Sequence, residues 1–226
     1  MPSYCSSKIV FYSDDKTSLQ DILDNINRCL EKPMYNSVKN YLSFSGMGNS
    51  SVIDKVDNRD CFAYCDKEIS KKDEGGYYFQ FSTDSTWVPN IEIFAAVIKE
   101  KYNGVIEILF QSEEPDNGIY ITNDDEGEFF PERYKLNLSF DGKCINEYYS
   151  SIFDLQNALE KMFPKVCFDR TVRPEKIEAK IKEAYKFSSE LNDYISINKF
   201  SYYNYTGGIE VWEQQRLYAR MARRLK

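Results

Sequence analysis

Between Gly75 and Phe110 the hydrophobic period switches from two to 3.6 and back to two, which confines the chain to folds that pack helices on a sheet. After Gly75-Gly76, the run Tyr77-Tyr78-Phe79-Gln80-Phe81-Ser82 puts Tyr77, Phe79 and Phe81 on one face of a strand. Thr83 to Asn90 read as a turn, where Pro89 holds Val88 away from helical geometry. Asn90 is placed to cap a helix from Ile91 to Tyr102, whose Phe94, Val97, Ile98 and Tyr102 recur at helical spacing. Asn103-Gly104 ends that helix, because these residues take the left-handed conformation at least cost. Val105 to Phe110 is then a nearly continuous apolar strand, as expected inside a sheet.

The flanks add further elements. Lys8 to Tyr12 is a β-rich run, and Thr17 or Ser18 caps a helix with the apolar stripe Leu19, Ile22, Leu23, Ile26 and Leu30, closed before Pro33. Tyr41 to Phe44 reads as a short strand, and Ser45 to Ser51 as a linker. That glycine loop lacks the Gly-Lys-Ser/Thr and G-x-G-x-x-G patterns of phosphate cradles. Residues 52–74 read as a short irregular or helical excursion. Gly118 to Thr122 is a strand, and Tyr134 to Phe140 pairs with Lys143 to Tyr149 through an Asp141-Gly142 hairpin turn. Ile152 to Phe163 is an amphipathic helix stopped by Pro164, and Val166 to Phe168 a short strand. Arg173-Pro174-Glu175 opens a longer helix with Ile177, Ile181, Tyr185, Ser188 and Leu191 on one stripe. A last helix is expected from about Ile209 to the end, with Val211, Trp212, Leu217, Tyr218 and Met221 as its apolar set.

Composition narrows the chemistry. The 226 residues include no histidine, which removes the commonest general base, the Ser-His and Cys-His nucleophile pairs and the commonest metal ligand. The six cysteines are scattered, and only Cys61 and Cys65 are close, with no second pair to complete a zinc site. No apolar run approaches membrane-spanning length, and the first residues hold no apolar leader, so reduced thiols in a cytoplasm are expected. No cofactor, no metal and no catalytic residue is expected.

Charge points instead to a surface. The net charge is −7, yet Val211 to Lys226 carries +4, leaving −11 on the other 210 residues. From Glu113 the chain runs through Glu114, Asp116, Asp124, Asp125, Glu126, Glu128 and Glu132 before its next basic residue, Arg133. The first seven of these carboxylates form the candidate partner-binding surface. Trp212, Arg216, Arg220, Arg223 and Arg224 form a second candidate, on the last helix, with an aromatic-and-arginine composition typical of interfaces. The helix macrodipole also favours cations at that end.

Two stretches carry a resemblance. Met1-Pro2-Ser3-Tyr4-Cys5-Ser6-Ser7 resembles the Met-Pro-Asn-Trp-Cys-x-Asn opening of the YubB-like ferredoxin-like family. Phe81 to Asn90 resembles that family's Phe-x-Thr-x-Trp-x-Pro-Pro turn. Ser3 and Tyr4 stand in place of Asn and Trp, two extra residues separate Thr83 from Trp87, and Asn90 replaces the second Pro. The resemblance spans about the first 140 residues in pieces. It implies a βαββαβ sheet with two helices on one face, and a genomic home in phages, plasmids and integrated elements.

The expected architecture is therefore α+β: a ferredoxin-like sheet extended by antiparallel hairpins over residues 1–170, with a helical C-terminal extension over 171–226. The expected function is that of a non-enzymatic, phage-type accessory protein. It would bind a host protein or ribonucleoprotein complex, and inhibit a defence nuclease such as a CRISPR–Cas complex, by presenting carboxylates where phosphates would lie. The alternatives are a carboxylate-and-Mg²⁺ enzyme and a nucleic-acid module using the sheet face or the basic last helix. Direct nucleic-acid binding is disfavoured by the charge. A homodimer through the C-terminal helices is a further expectation.

Overall fold

The computed structural model describes residues 4–31, 37–45, 50–86, 88–169, 172–188 and 192–205. The fold is α+β and divides into two units. One is built from residues up to Asp125 and from Tyr202 onward, the other from Glu126–Ser201. No helix among the described residues is long and apolar enough to cross a membrane.

The first unit opens with β1 (Tyr4–Ser13), α1 (Lys16–Leu30), α2 (Val38–Ser45) and α3 (Ser50–Lys55). Then follow β2 (Cys61–Cys65), β3 (Ser70–Lys71), β4 (Tyr77–Thr86), α4 (Ile91–Tyr102), β5 (Glu107–Glu114), a 3-10 turn (Pro115–Asn117) and β6 (Ile119–Thr122). The cap of α1 is Asp15, not Thr17 or Ser18: its carboxylate accepts from the Thr17 and Ser18 N–H groups at 2.9 and 3.4 Å. The expected strand at Tyr41 to Phe44 is helix α2, because Val38, Tyr41 and Leu42 bury at i, i+3 and i+4. The excursion at 52–74 contains β2, whose alternation is broken by a bulge between Phe62 and Tyr64. α4 has the expected bounds, and Asn103 closes it at φ 50°.

The sheet of this unit follows the order β6-β5-β1-β4-β2, with β3 also on β4. β1 is central and antiparallel to both β4 and β5. Its odd-numbered residues and those of β4 face the helices. Phe11, Phe79, Phe81 and Phe94 are fully buried, and Phe11 meets the other three edge-on at 4.8–6.1 Å. The expected aromatic face thus belongs to the core: Phe79 and Phe81 are sealed, and half-buried Tyr77 packs against them.

The second unit contains β7 (Tyr134–Phe140), β8 (Lys143–Tyr149), α5 (Ile152–Met162), α6 (Pro174–Tyr185) and β9 (Tyr194–Lys199), the strands ordered β8-β7-β9. Asp141 and Gly142 both take positive φ in the hairpin turn, as expected. Val166 to Phe168 is irregular rather than a strand. The boundary expected at residue 170 falls inside this unit. Leu155 and Leu159 of α5, Ile177 and Ile181 of α6, and Ile195 and Ile197 of β9 share one core with Leu136 and Leu138. α6 is therefore not an appendage, and it stops at Lys186 (φ 50°), short of Ser188 and Leu191. After β9 the chain returns to the first unit through β10 (Ser201–Tyr202), which pairs with β6. The expected last helix lies outside the described residues.

Candidate functional site

The acidic run does not form one surface. β5 continues past Phe110 to Glu114, so strand parity turns Ser112 and Glu114 toward the helices with Phe110. Glu114 is 1% exposed, and its carboxylate accepts the Asn117 N–H, closing the Pro115–Asn117 turn. Asp124 is 3% exposed, and its N–H donates to Thr122 Oγ1. Asn123 continues the edge of β5, accepting the Phe110 N–H at 2.8 Å and donating to Ile108 O at 2.7 Å. Glu114 and Asp124 are thus corrected from surface carboxylates to buried ones. Glu113 is half-buried, opposite Ser6 on the face turned away from α1 and α4, while Asp116 and Asp125 are exposed. Glu126 and Glu128 belong to the second unit and are exposed there. Trp212, Arg216, Arg220, Arg223 and Arg224 lie outside the described residues, as does Trp87.

Charge is segregated along the chain. Residues 1–125 hold 21 acidic and 12 basic side chains, net −9, whereas residues 126–201 hold 13 and 12, net −1. Exposed carboxylates on the first unit include Asp14, Asp24, Asp54, Glu68, Asp73, Glu107, Asp116 and Asp125.

A second grouping was missed at the sequence level. Toward one end of the sheet, the helix-facing side changes from aromatic to small and polar. Ser7 lies between Thr83 and Ser112, and Cys5 stands opposite Ser85. All five are buried. Ser112 Oγ and Ser7 Oγ are hydrogen-bonded at 2.8 Å, and Ser85 Oγ donates to Val88 O at 2.7 Å. Asn90 stands at the expected capping position but makes no capping bond. It is fully buried, and both polar atoms of its amide lack a partner among the described residues, as does Thr83 Oγ1. Two residues later, buried Glu92 accepts the Tyr203 hydroxyl at 2.8 Å. The available signal was the alternation of small polar residues in Cys5-Ser6-Ser7 and Thr83-Asp84-Ser85.

This polar patch is not set up for nucleophilic chemistry. Burial, and after it the Glu114 carboxylate, pushes the Cys5 thiol well up, so it stays protonated at neutral pH. Burial likewise raises Cys29 to about 11 and, with Asp66 adding to it, Cys65 to about 12. Among the described residues no three His, Cys, Asp or Glu side chains converge as a metal site. On the face of the sheet opposite α1 and α4, Tyr4 and Tyr64 are exposed at 48% and 53%, and Tyr64 donates to Asp66 at 2.7 Å.

The class these features define is an α+β protein with a helix-backed mixed sheet and an inserted second unit. The chain matches no family model, no curated protein and no solved structure.

Proposed function

We propose that the chain is a non-catalytic binding protein whose first unit presents carboxylates to a basic macromolecular partner. The observation that carries this reading is the net −6 on the first unit, −9 on residues 1–125 and +3 on residues 202–226, against −1 on residues 126–201. A charge concentrated on one unit steers association with a complementary surface, whereas a solubilising charge has no reason to be segregated. The partner chemistry that fits is a cationic channel of the kind that holds phosphates. The specific form of the proposal is a phage-type accessory protein that occupies such a channel in a host ribonucleoprotein, a CRISPR–Cas nuclease being one example.

A ferredoxin-like arrangement of the first unit belongs to the same proposal. Its support is the succession β1-α1-β2-β4-α4-β5 with spatial order β5-β1-β4-β2. Tyr4 and Tyr64, exposed on the same sheet face as Lys8, favour one second reading, in which single-stranded nucleic acid stacks on that part of the sheet. The surrounding charge opposes it.

The test is capture from host lysate by wild-type protein and by a variant with Glu68→Gln, Glu107→Gln, Asp116→Asn and Asp125→Asn, four exposed carboxylates of the first unit, with bound proteins identified by mass spectrometry. The buried Glu114 and Asp124 are left intact, since changing them would probe folding. A basic complex retained by wild type in moderate salt and lost by the variant is expected. Equal retention by both would remove the carboxylate surface from the proposal. A salt-dependent mobility shift of a single-stranded oligonucleotide, abolished by Tyr4→Ala with Tyr64→Ala, would favour the second reading.

A further inference from the structure

The second unit contains a cleft of about 410 Å³, within the roughly 300–1,000 Å³ range of small-ligand sites. Its wall brings together the first residue of β7 (Tyr134), the last of β9 (Lys199), the first of α5 (Ile152) and the opening of α6 (Arg173, Pro174 and Glu175). Two observations give it a sign. Arg173 and Lys199 both line it, and neither side chain makes a hydrogen bond or ion pair among the described residues. Glu175 is the one carboxylate in the lining, leaving +1 in a unit that is otherwise slightly acidic. Independently, α6 begins uncapped. Arg173 makes no side-chain capping bond; Pro174 has no N–H and the Lys176 N–H donates to Arg173 O at 3.0 Å, so the Glu175 N–H is the first-turn donor left free among the described residues, at the positive end of the dipole. The start of α5 is closed by contrast, because Ser151 Oγ accepts the Asp154 N–H.

The remaining lining is apolar. The half-buried Tyr134 ring, Ile152 and Val172 offer a surface for a carbon body. We propose that this cleft binds a small organic phosphate monoester. The dianionic phosphate sits between Arg173, Lys199 and the Glu175 N–H at the α6 start, and the organic group packs on Tyr134 and Ile152. Two cations and a helix start match a dianion better than a monoanionic carboxylate. None of these residues belongs to the acidic surface proposed above, so the two readings stand or fall separately.

Calorimetric titration of the full chain with phenyl phosphate and with inorganic phosphate tests the site. Saturable one-site binding of phenyl phosphate is expected, tighter than that of inorganic phosphate. Arg173→Ala and Lys199→Ala should each weaken it about tenfold, and Glu175→Gln should tighten it. Arg173, Glu175 and Lys199 are exposed, so the variants keep the wild-type melting temperature and lost binding is not lost folding. No saturable binding at millimolar phenyl phosphate, or equal affinity in both alanine variants, overturns the site. Equal affinity for the two phosphates overturns the monoester assignment.

Discussion

A methyl group at position 76 would land on the Tyr12 ring, 2.6 Å from Cζ, at a residue whose φ is +76°. Tyr12 cannot swing away without losing its hydroxyl bond to Gly75 O at 3.2 Å. Gly142 has a similar φ of +72° but open space around its missing Cβ. Gly142→Ala is therefore expected to cost about 1 kcal/mol, the left-handed strain alone, and Gly76→Ala about 2–3 kcal/mol. Urea unfolding of both variants measures the difference, and equal costs would show that the Tyr12 ring yields freely. At this scale much was legible. Asn103-Gly104 and Asp141-Gly142 are turns for reasons contained in the residues themselves. The direction of Glu114 was not legible, because it depends on β5 continuing beyond Phe110. Once the strand continues, parity alone sends Glu114 inward, and the apparent acidic surface loses a member. Asp124 is hidden for a different reason: its burial follows from Asn123 bonding to the edge of β5, a contact that the sequence does not announce.

Between elements, one polar junction ties α1 to the end of α4. The Asp21 carboxylate accepts the Tyr102 hydroxyl at 2.6 Å and Lys101 Nζ at 3.0 Å. The Tyr102 bond is the largest cause of a lowered Asp21 pKa, with Lys101 adding to it. A carboxylate lowered in the folded state stabilises above its unfolded pKa, about 3.9 for Asp, and loses that contribution as pH falls through the folded value. Wild type is therefore expected to be more stable than Tyr102→Phe at neutral pH, with a gap that narrows as pH drops from about 5 towards 2. Chemical unfolding across that range checks it, and a gap indifferent to pH would place the effect in packing. Elements were legible where one periodicity was long and unbroken, as in α1, α4 and α5. α2 was misread because Tyr41, Leu42 and Phe44 suit strands, although Val38, Tyr41 and Leu42 carry helical spacing. β2 escaped because its bulge breaks the alternation. β9 was legible in Ile195-Ser196-Ile197 and was passed over.

The whole molecule is one unit interrupted by another. The ends of the interruption are already joined within the first unit, where the Tyr203 N–H donates to Thr122 O at 2.8 Å. A chain with a short glycine-serine linker in place of residues 126–201 is therefore expected to keep cooperative unfolding by circular dichroism in urea. A non-cooperative product would show that the first unit needs the second to fold. The division itself was not legible, because an insertion has no local signature. The sign that α5 and α6 share a core lies in contacts between residues some 20 apart in sequence, Leu159 and Ile181 among them. The insertion also sets an order of events. β6 leaves the ribosome with its outer edge bare, and the strand that covers it arrives only after all of residues 126–201 have been made. At ~5–20 residues per second that is a delay of roughly 4–15 s. Over that interval the growing sheet has an open edge, four residues long, that another chain could pair with. The Tyr203 and Tyr205 rings that later pack on Phe110 act as a late fastening, and newly synthesised protein is most vulnerable to mispairing before they arrive.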